Sequence, residues 1–170
     1  MSQAGGSIYF TNHDTVDATR IFDSRLTYDK GGAIIHSLRF VTNNDSLWFN
    51  TLRGFQNTYK HSTASVLDFQ NYYQTFTGIN PGQFFNQWYF NIGHPEVDIN
   101  YQWIDASKEI KVSIQQKQLI PSTFKFPLNI DVYHHSIKKR YNVWIKDTVE
   151  NFYFKTDEAP ELVNVDADKA

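Results

Sequence analysis

Apolar and polar residues follow two different rhythms along this chain, with the change near residue 94. Before it the spacing is helical. Ile34, Leu38 and Val41 share one face of a first helix, expected over Tyr28 to Val41. Trp48, Leu52, Phe55 and Tyr59 mark a second, with Asp45 as its expected N-cap. Ser65 and Asp68 form a variant capping box that opens a third helix, with Phe69, Tyr72, Tyr73 and Phe76 inward and Gly78 as the stop. Asn80-Pro81 reads as an N-cap followed by a proline in the first turn. That fourth helix carries Phe84, Phe85, Trp88, Tyr89 and Ile92, and Gly93 ends it.

After His94-Pro95 the period becomes two. Val97, Ile99, Tyr101 and Trp103 alternate with polar residues, as do Ile110, Val112 and Ile114. A longer run, Phe124 to Val132, contains Pro127, which suggests an edge strand or a bulge. Tyr141, Val143 and Ile145 form another run, and Phe152 with Phe154 a fifth. Asp105 to Lys108 reads as a hairpin loop, and the terminal ELVNVDADKA as a strand just starting. Antiparallel strands with one wet face give this clean alternation. The expected architecture is therefore α+β in two parts: a helical unit over 1–94, then an antiparallel β-sandwich over 95–170. Little pattern exists in the first 20 residues, where irregular structure is expected.

Composition narrows the function. The 170 residues are 41% hydrophobic, enough for a packed core, and 16% aromatic, so much of that core is aromatic. The net charge is -2, and the densest basic run is only Lys138-Lys139-Arg140, too small for a nucleic-acid footprint. No stretch reaches the eighteen apolar residues of a membrane span, and the start has no secretory pattern. The absence of cysteine excludes disulfides and thiol chemistry. Six histidines are present without metal-ligand spacing: His13, His36, His61 and His94 stand apart, and His134-His135, if on one strand, face opposite sides. There is no H-E-x-x-H, no phosphate-cradling glycine loop and no G-x-S-x-G.

One local anomaly remains. Gly31 and Gly32 follow Tyr28-Asp29-Lys30 where a helix should begin. Glycine costs a helix about 1 kcal/mol against alanine at each such position. A tyrosine at a helix start is, on residue chemistry alone, ordinarily a packing residue with a wet hydroxyl.

The order of motifs is more specific than any of them. FDSRLTYDKGGAIIHSLR, an Asp-led helix ending at Tyr59-Lys60, then STASVLDFQNYYQTFTG, then FFNQWYFNIGHPEVDINYQW resembles the gluzincin zinc aminopeptidases, the family of aminopeptidase N and leukotriene hydrolase. The resemblance spans about Phe22 to Trp103, with matches at Tyr28 to Gly31, Ser65 to Gly78 and Trp88 to Pro95. It implies the helical C-terminal subdomain of a thermolysin-like catalytic domain followed by a β-sandwich. It implies, at Tyr28, the tyrosine that donates a hydrogen bond to the oxyanion formed when zinc-bound water attacks a peptide carbonyl. It implies a close approach of backbone at the glycine pair, although Gly32 stands before Ala33 where the family runs directly from Gly to Ala. The family's zinc ligands, general base and amine-binding motif lie upstream of this tyrosine and are missing here.

The resemblance thus implies a fragment of a zinc metallo-aminopeptidase, inactive alone, without its own metal. Zinc, peptide substrate and the N-terminal part of the catalytic domain belong to the longer parent. A non-catalytic peptidase-like scaffold or binding module is the alternative. A third reading, a carbohydrate-binding domain using Trp103 or Trp144, leaves the ordered motifs unexplained.

Overall fold

The computed structural model describes residues 6–11, 16–119 and 123–168. The chain divides into two compact units, Met1–Ile92 and Gly93–Ala170. The protein is mixed α+β: the first unit is helical, and the second holds two three-stranded antiparallel sheets.

A short helix α1, Ala18–Ile21, is capped by the Asp17 carboxylate on the Thr19 N–H. Ser24–Lys30 winds as a π-helix and runs directly into α2, Gly31–Thr42. The winding therefore starts four residues before Tyr28. Asp23 sets that start, its side chain accepting from the Leu26 N–H at 2.9 Å. Asn43 closes α2 in the left-handed conformation.

Helix α3, Asp45–Tyr59, is capped by Asn44 rather than Asp45. The Asn44 side chain takes the Leu47 N–H at 2.9 Å, which frees the Asp45 carboxylate to bind Arg39 through two bonds of 2.7 Å. Helix α4, Val66–Thr77, has the reciprocal Ser65/Asp68 capping box and ends at Gly78 with φ 75°. Only glycine adopts that angle without strain. Helix α5, Gly82–Phe85, continues into a second π-helical segment, Asn86–Phe90. The N-cap position of this helix is Pro81 and not the expected Asn80, although the Asn80 side chain accepts the Gly82 N–H at 2.8 Å. The helix stops before Ile92, which is 53% exposed and packs in no core.

The helical core is aromatic. Tyr73 is fully buried, and its ring meets Trp48 edge-on at 6.4 Å. Its hydroxyl lies 2.9 Å from the Thr42 hydroxyl, whose own proton goes to the Leu38 carbonyl at 2.8 Å, so Tyr73 is the donor. Phe69 joins α3 and α5 by contacting Phe55 at 5.0 Å and Phe85 at 6.2 Å. Phe76 lies on the outer flank of α4 and is 46% exposed, stacked on Tyr72.

In the second unit, β1 (Val97–Ile104), β2 (Glu109–Gln116) and β5 (Val149–Lys155) form one sheet in the order β1-β2-β5. Strands β3 (Phe126–His134), β4 (Ile137–Ile145) and β6 (Leu162–Val165) form the other, in the order β4-β3-β6. Ile110, Val112 and Ile114 of β2 and Ile130 and Val132 of β3 are almost completely buried. Tyr101 keeps the inward phase but sits on an edge strand and is 52% exposed.

Pro127 is not on an edge strand, because β3 is the middle strand of its sheet. It is tolerated because β6 pairs only with Ile130 to Tyr133, leaving the Pro127 end bordered by β4 alone. The β3–β4 turn is His135-Ser136, both with positive φ, so His135 belongs to a turn and not to a strand. Both faces of β3 are covered: Asp131 is 1% exposed, held by Arg140 through two bonds of 2.6 Å.

Candidate functional site

The stretch around Tyr28 is built by the first π-helical segment. The Gly31 N–H reaches the Leu26 carbonyl five residues back, which widens the turn that carries Tyr28. Such segments occur often at functional sites. Leu26 points into the core at 6% exposure, while Tyr28 is 57% exposed. The Tyr28 hydroxyl has no hydrogen-bond partner among the described residues.

Among the described residues the glycine pair serves no close approach. A methyl group at Gly32 would meet nothing within 4 Å, and one at Gly31 only the Leu26 carbonyl at 4.0 Å. The glycine enclosed against this segment is Gly6: a methyl there would lie 2.8 Å from the Leu26 side chain. The bare backbone thus covers Leu26 from the N-terminal segment, and open space lies beside Gly31 and Gly32.

Lys30, at the end of the π-helical segment, fastens this neighbourhood. Its ammonium donates to the Gly6 carbonyl at 2.8 Å and to the Asn91 carbonyl at 3.3 Å. Burial, with a smaller contribution from Arg25, lowers its pKa from 10.5 to about 8. Ser7 completes the fastening by donating to the Tyr89 carbonyl at 2.7 Å, just where the second π-helical segment runs out of internal acceptor partners. Arg20 holds the Ser7 carbonyl at 2.6 Å and lies over the Phe10 ring at 4.5 Å. Nothing in the local sequence announces Gly6, Ser7 and Asn91 as partners of this site, because the contacts span 24 to 83 residues.

The other sequence candidates do not gather. Among the described residues no three of His, Asp and Glu are grouped to hold a metal ion. His36 packs on Phe40, His94 faces Glu96 at 3.8 Å, and His135 lies 3.0 Å from Glu158. His13 lies outside the described residues. The run Lys138-Lys139-Arg140 is on β4, with Lys138 3.9 Å from Asp131 and Arg140 bound to both Asp131 and Asp168. Among the described residues no helix is long and apolar enough to cross a membrane.

Comparison with known proteins was informative only at the level of structure. No protein-family profile matches the chain, and no curated protein matches its sequence. A solved structure does match: aminopeptidase A of Legionella pneumophila, in a complex with aspartic acid. The TM-score is 0.73 at 12% sequence identity. The likeness covers 97% of this chain and 19% of that one, so the chain spans about a fifth of the length of the structure it resembles. Identity at this level shows likeness of fold alone.

Proposed function

We propose that this chain is a fragment of a zinc metallo-aminopeptidase, comprising the helical end of a thermolysin-like catalytic domain and the β-sandwich after it. The likeness to an aminopeptidase over 97% of the chain carries this reading. The motif order from Tyr28 to Pro95 supports it independently.

In the parent enzyme Tyr28 stabilises the oxyanion of the attacked peptide bond. Its residue is exposed and its hydroxyl has no partner among the described residues, as a donor reserved for substrate must be. A phenol can donate a hydrogen bond to a developing oxyanion without being consumed. The carbonyl oxygen gains charge only as the transition state forms, so this bond strengthens there and accelerates the reaction.

The residues described here do not fit a zinc site. Zinc would polarise the peptide carbonyl and activate water, and its ligands belong to the N-terminal part of the catalytic domain, outside this chain. The open space beside Gly31 and Gly32, and exposed Phe22 and Ile35, suit a surface that this missing part covers. Alone, the chain is inactive.

The test is Tyr28→Phe in the full-length protein. The turnover number should fall by about a hundredfold or more with zinc content unchanged. Unchanged turnover removes Tyr28 from the mechanism. A parent that binds no zinc and cleaves no peptide favours a non-catalytic scaffold.

A further inference from the structure

We propose that the outer edge of β1 is a self-association surface. It takes β1 of a second copy of this chain as an antiparallel neighbour, about a two-fold axis at Asn100. Only residues of the Gly93–Ala170 unit are involved, and the peptidase reading is not required.

Strand β1 has eight residues and a single neighbour, β2. The Lys117 N–H donates to the Glu96 carbonyl at 2.7 Å, one step beyond the pair of Val97 with Gln116. Antiparallel ladders alternate bonded and non-bonded pairs. The even-numbered residues of β1 therefore bond to β2, while Val97, Ile99, Tyr101 and Trp103 aim their N–H and C=O groups away from it. On the other side of β2, the Gln116 N–H donates to the Thr148 carbonyl at 2.8 Å, which fixes the same phase. Among the described residues the backbone groups of those four edge residues have no hydrogen-bond partner.

Such a row is a template for another strand, and natural edges are blunted by lysine, proline, a bulge or shortness. Strand β4 carries Lys138, Lys139 and Arg140, and β6 has only four residues. Strand β1 has none of these guards. Its sequence, VDINYQWI, lacks lysine, arginine, proline and glycine. Its pairing with β2 runs unbroken from Val97 to Ile104, with no bulge. Its one charge, Asp98, is paired with Lys117.

The sequence of β1 is also its own complement. Val97, Ile99, Tyr101 and Trp103 lie on the face that pairs with buried Ile114, Val112 and Ile110 of β2. A two-fold axis at Asn100 sets Val97 opposite Trp103 and Ile99 opposite Tyr101 on that face. On the other face Asp98 meets Gln102, and Asn100 meets its own copy. The edge-facing residues all fall in bonded pairs, each N–H meeting a partner C=O. Apolar meets apolar, no like charges meet, and Tyr101, exposed on its edge, gains a neighbour. Strand β5 fails the same operation: an axis at Phe152 sets Glu150 against Phe154 and Val149 against Lys155. An isologous contact through β1 therefore closes at a dimer.

The test is sedimentation equilibrium of the whole 170-residue chain, at concentrations up to about 1 mM. Asn100 is exposed and pairs with Ser113, so a charge there leaves the core untouched. The wild type should show a monomer–dimer equilibrium. Asn100→Lys sets two ammonium groups against each other across the axis and should raise the dimer dissociation constant about tenfold or more. Asn100→Glu should do the same, and an equimolar mixture of the two variants should recover the dimer. A monomer throughout the range, a dimer indifferent to both substitutions, or a mixture no tighter than its components overturns the pairing. Urea unfolding checks the fold of each variant, and the wild-type chain alone shows whether the dimer exists.

Discussion

Tyr28 and the glycines after it make different demands on the chain. Within the described residues a side chain at Gly32 has room, and the position is helical. Gly32→Ala should therefore stabilise the isolated chain by about 0.5–1 kcal/mol, read from urea unfolding. Destabilisation would mean that the backbone there is constrained in a way the local geometry does not show. In the full-length enzyme the same substitution should lower activity, if the missing domain packs against that space. Lys30 supplies a pH signature. Its pKa is about 8 in the fold against 10.5 unfolded, so above pH 8 the unfolded chain keeps a proton that the folded chain has released. Stability then rises between pH 8 and 10.5, and the burial cost of the charge is greatest below that window. The urea midpoint of the wild type should gain on that of Lys30→Gln across this range; parallel curves would deny the burial of this amine. Neither the openness at Gly32 nor the partners of Lys30 is legible in the sequence, since both depend on segments distant along the chain. What the sequence does display is the anomaly itself, two glycines where a helix should begin.

At the scale of elements, the hydrophobic period identifies helices and strands wherever one face is buried. The capping chemistry was equally readable at Ser65, whose box with Asp68 forms as expected. Ser65→Ala should cost about 1 kcal/mol, measured by thermal or urea unfolding, and no change would mean that the box is silent. The period is blind to the two π-helical segments. One extra residue per turn alters the winding without altering residue type, so the helix around Tyr28 begins at Ser24 and the last one stops at Phe90. Asn44 and Asp45 compete for one cap, and the Arg39 ion pair decides it for Asn44. Pro127 was misleading for a similar reason: a proline excludes a ladder bond on one side, and β6 is too short to require one there. The buried Asp131 on β3 gives a further consequence. Hydrogen bonds from Arg140 hold its carboxyl below the usual value of 3.8. Its contribution is complete above pH 3.8 and is lost as the pH falls through the lowered value. Asp131→Asn should weaken the second unit at neutral pH and blunt its acid sensitivity below that point; an unchanged acid transition would show that other carboxylates control it.

The whole molecule shares the fold of part of a solved aminopeptidase. The described residues include an exposed tyrosine, a half-buried lysine that ties the following residues to Gly6 and Asn91, and no grouped metal ligands. The chain spans 19% of the aminopeptidase it resembles; on the proposed reading the zinc ligands lie in the part it does not span. The isolated chain should accordingly hold no stoichiometric zinc by elemental analysis, and one tightly bound zinc per chain would contradict this division of labour. The most direct test is the coding sequence immediately upstream of Met1. An open frame that carries H-E-x-x-H and, on the next helix, a glutamate ligand is expected there. An upstream region that is closed to translation, or open but without those ligands, would contradict it and leave Tyr28 without an oxyanion to stabilise.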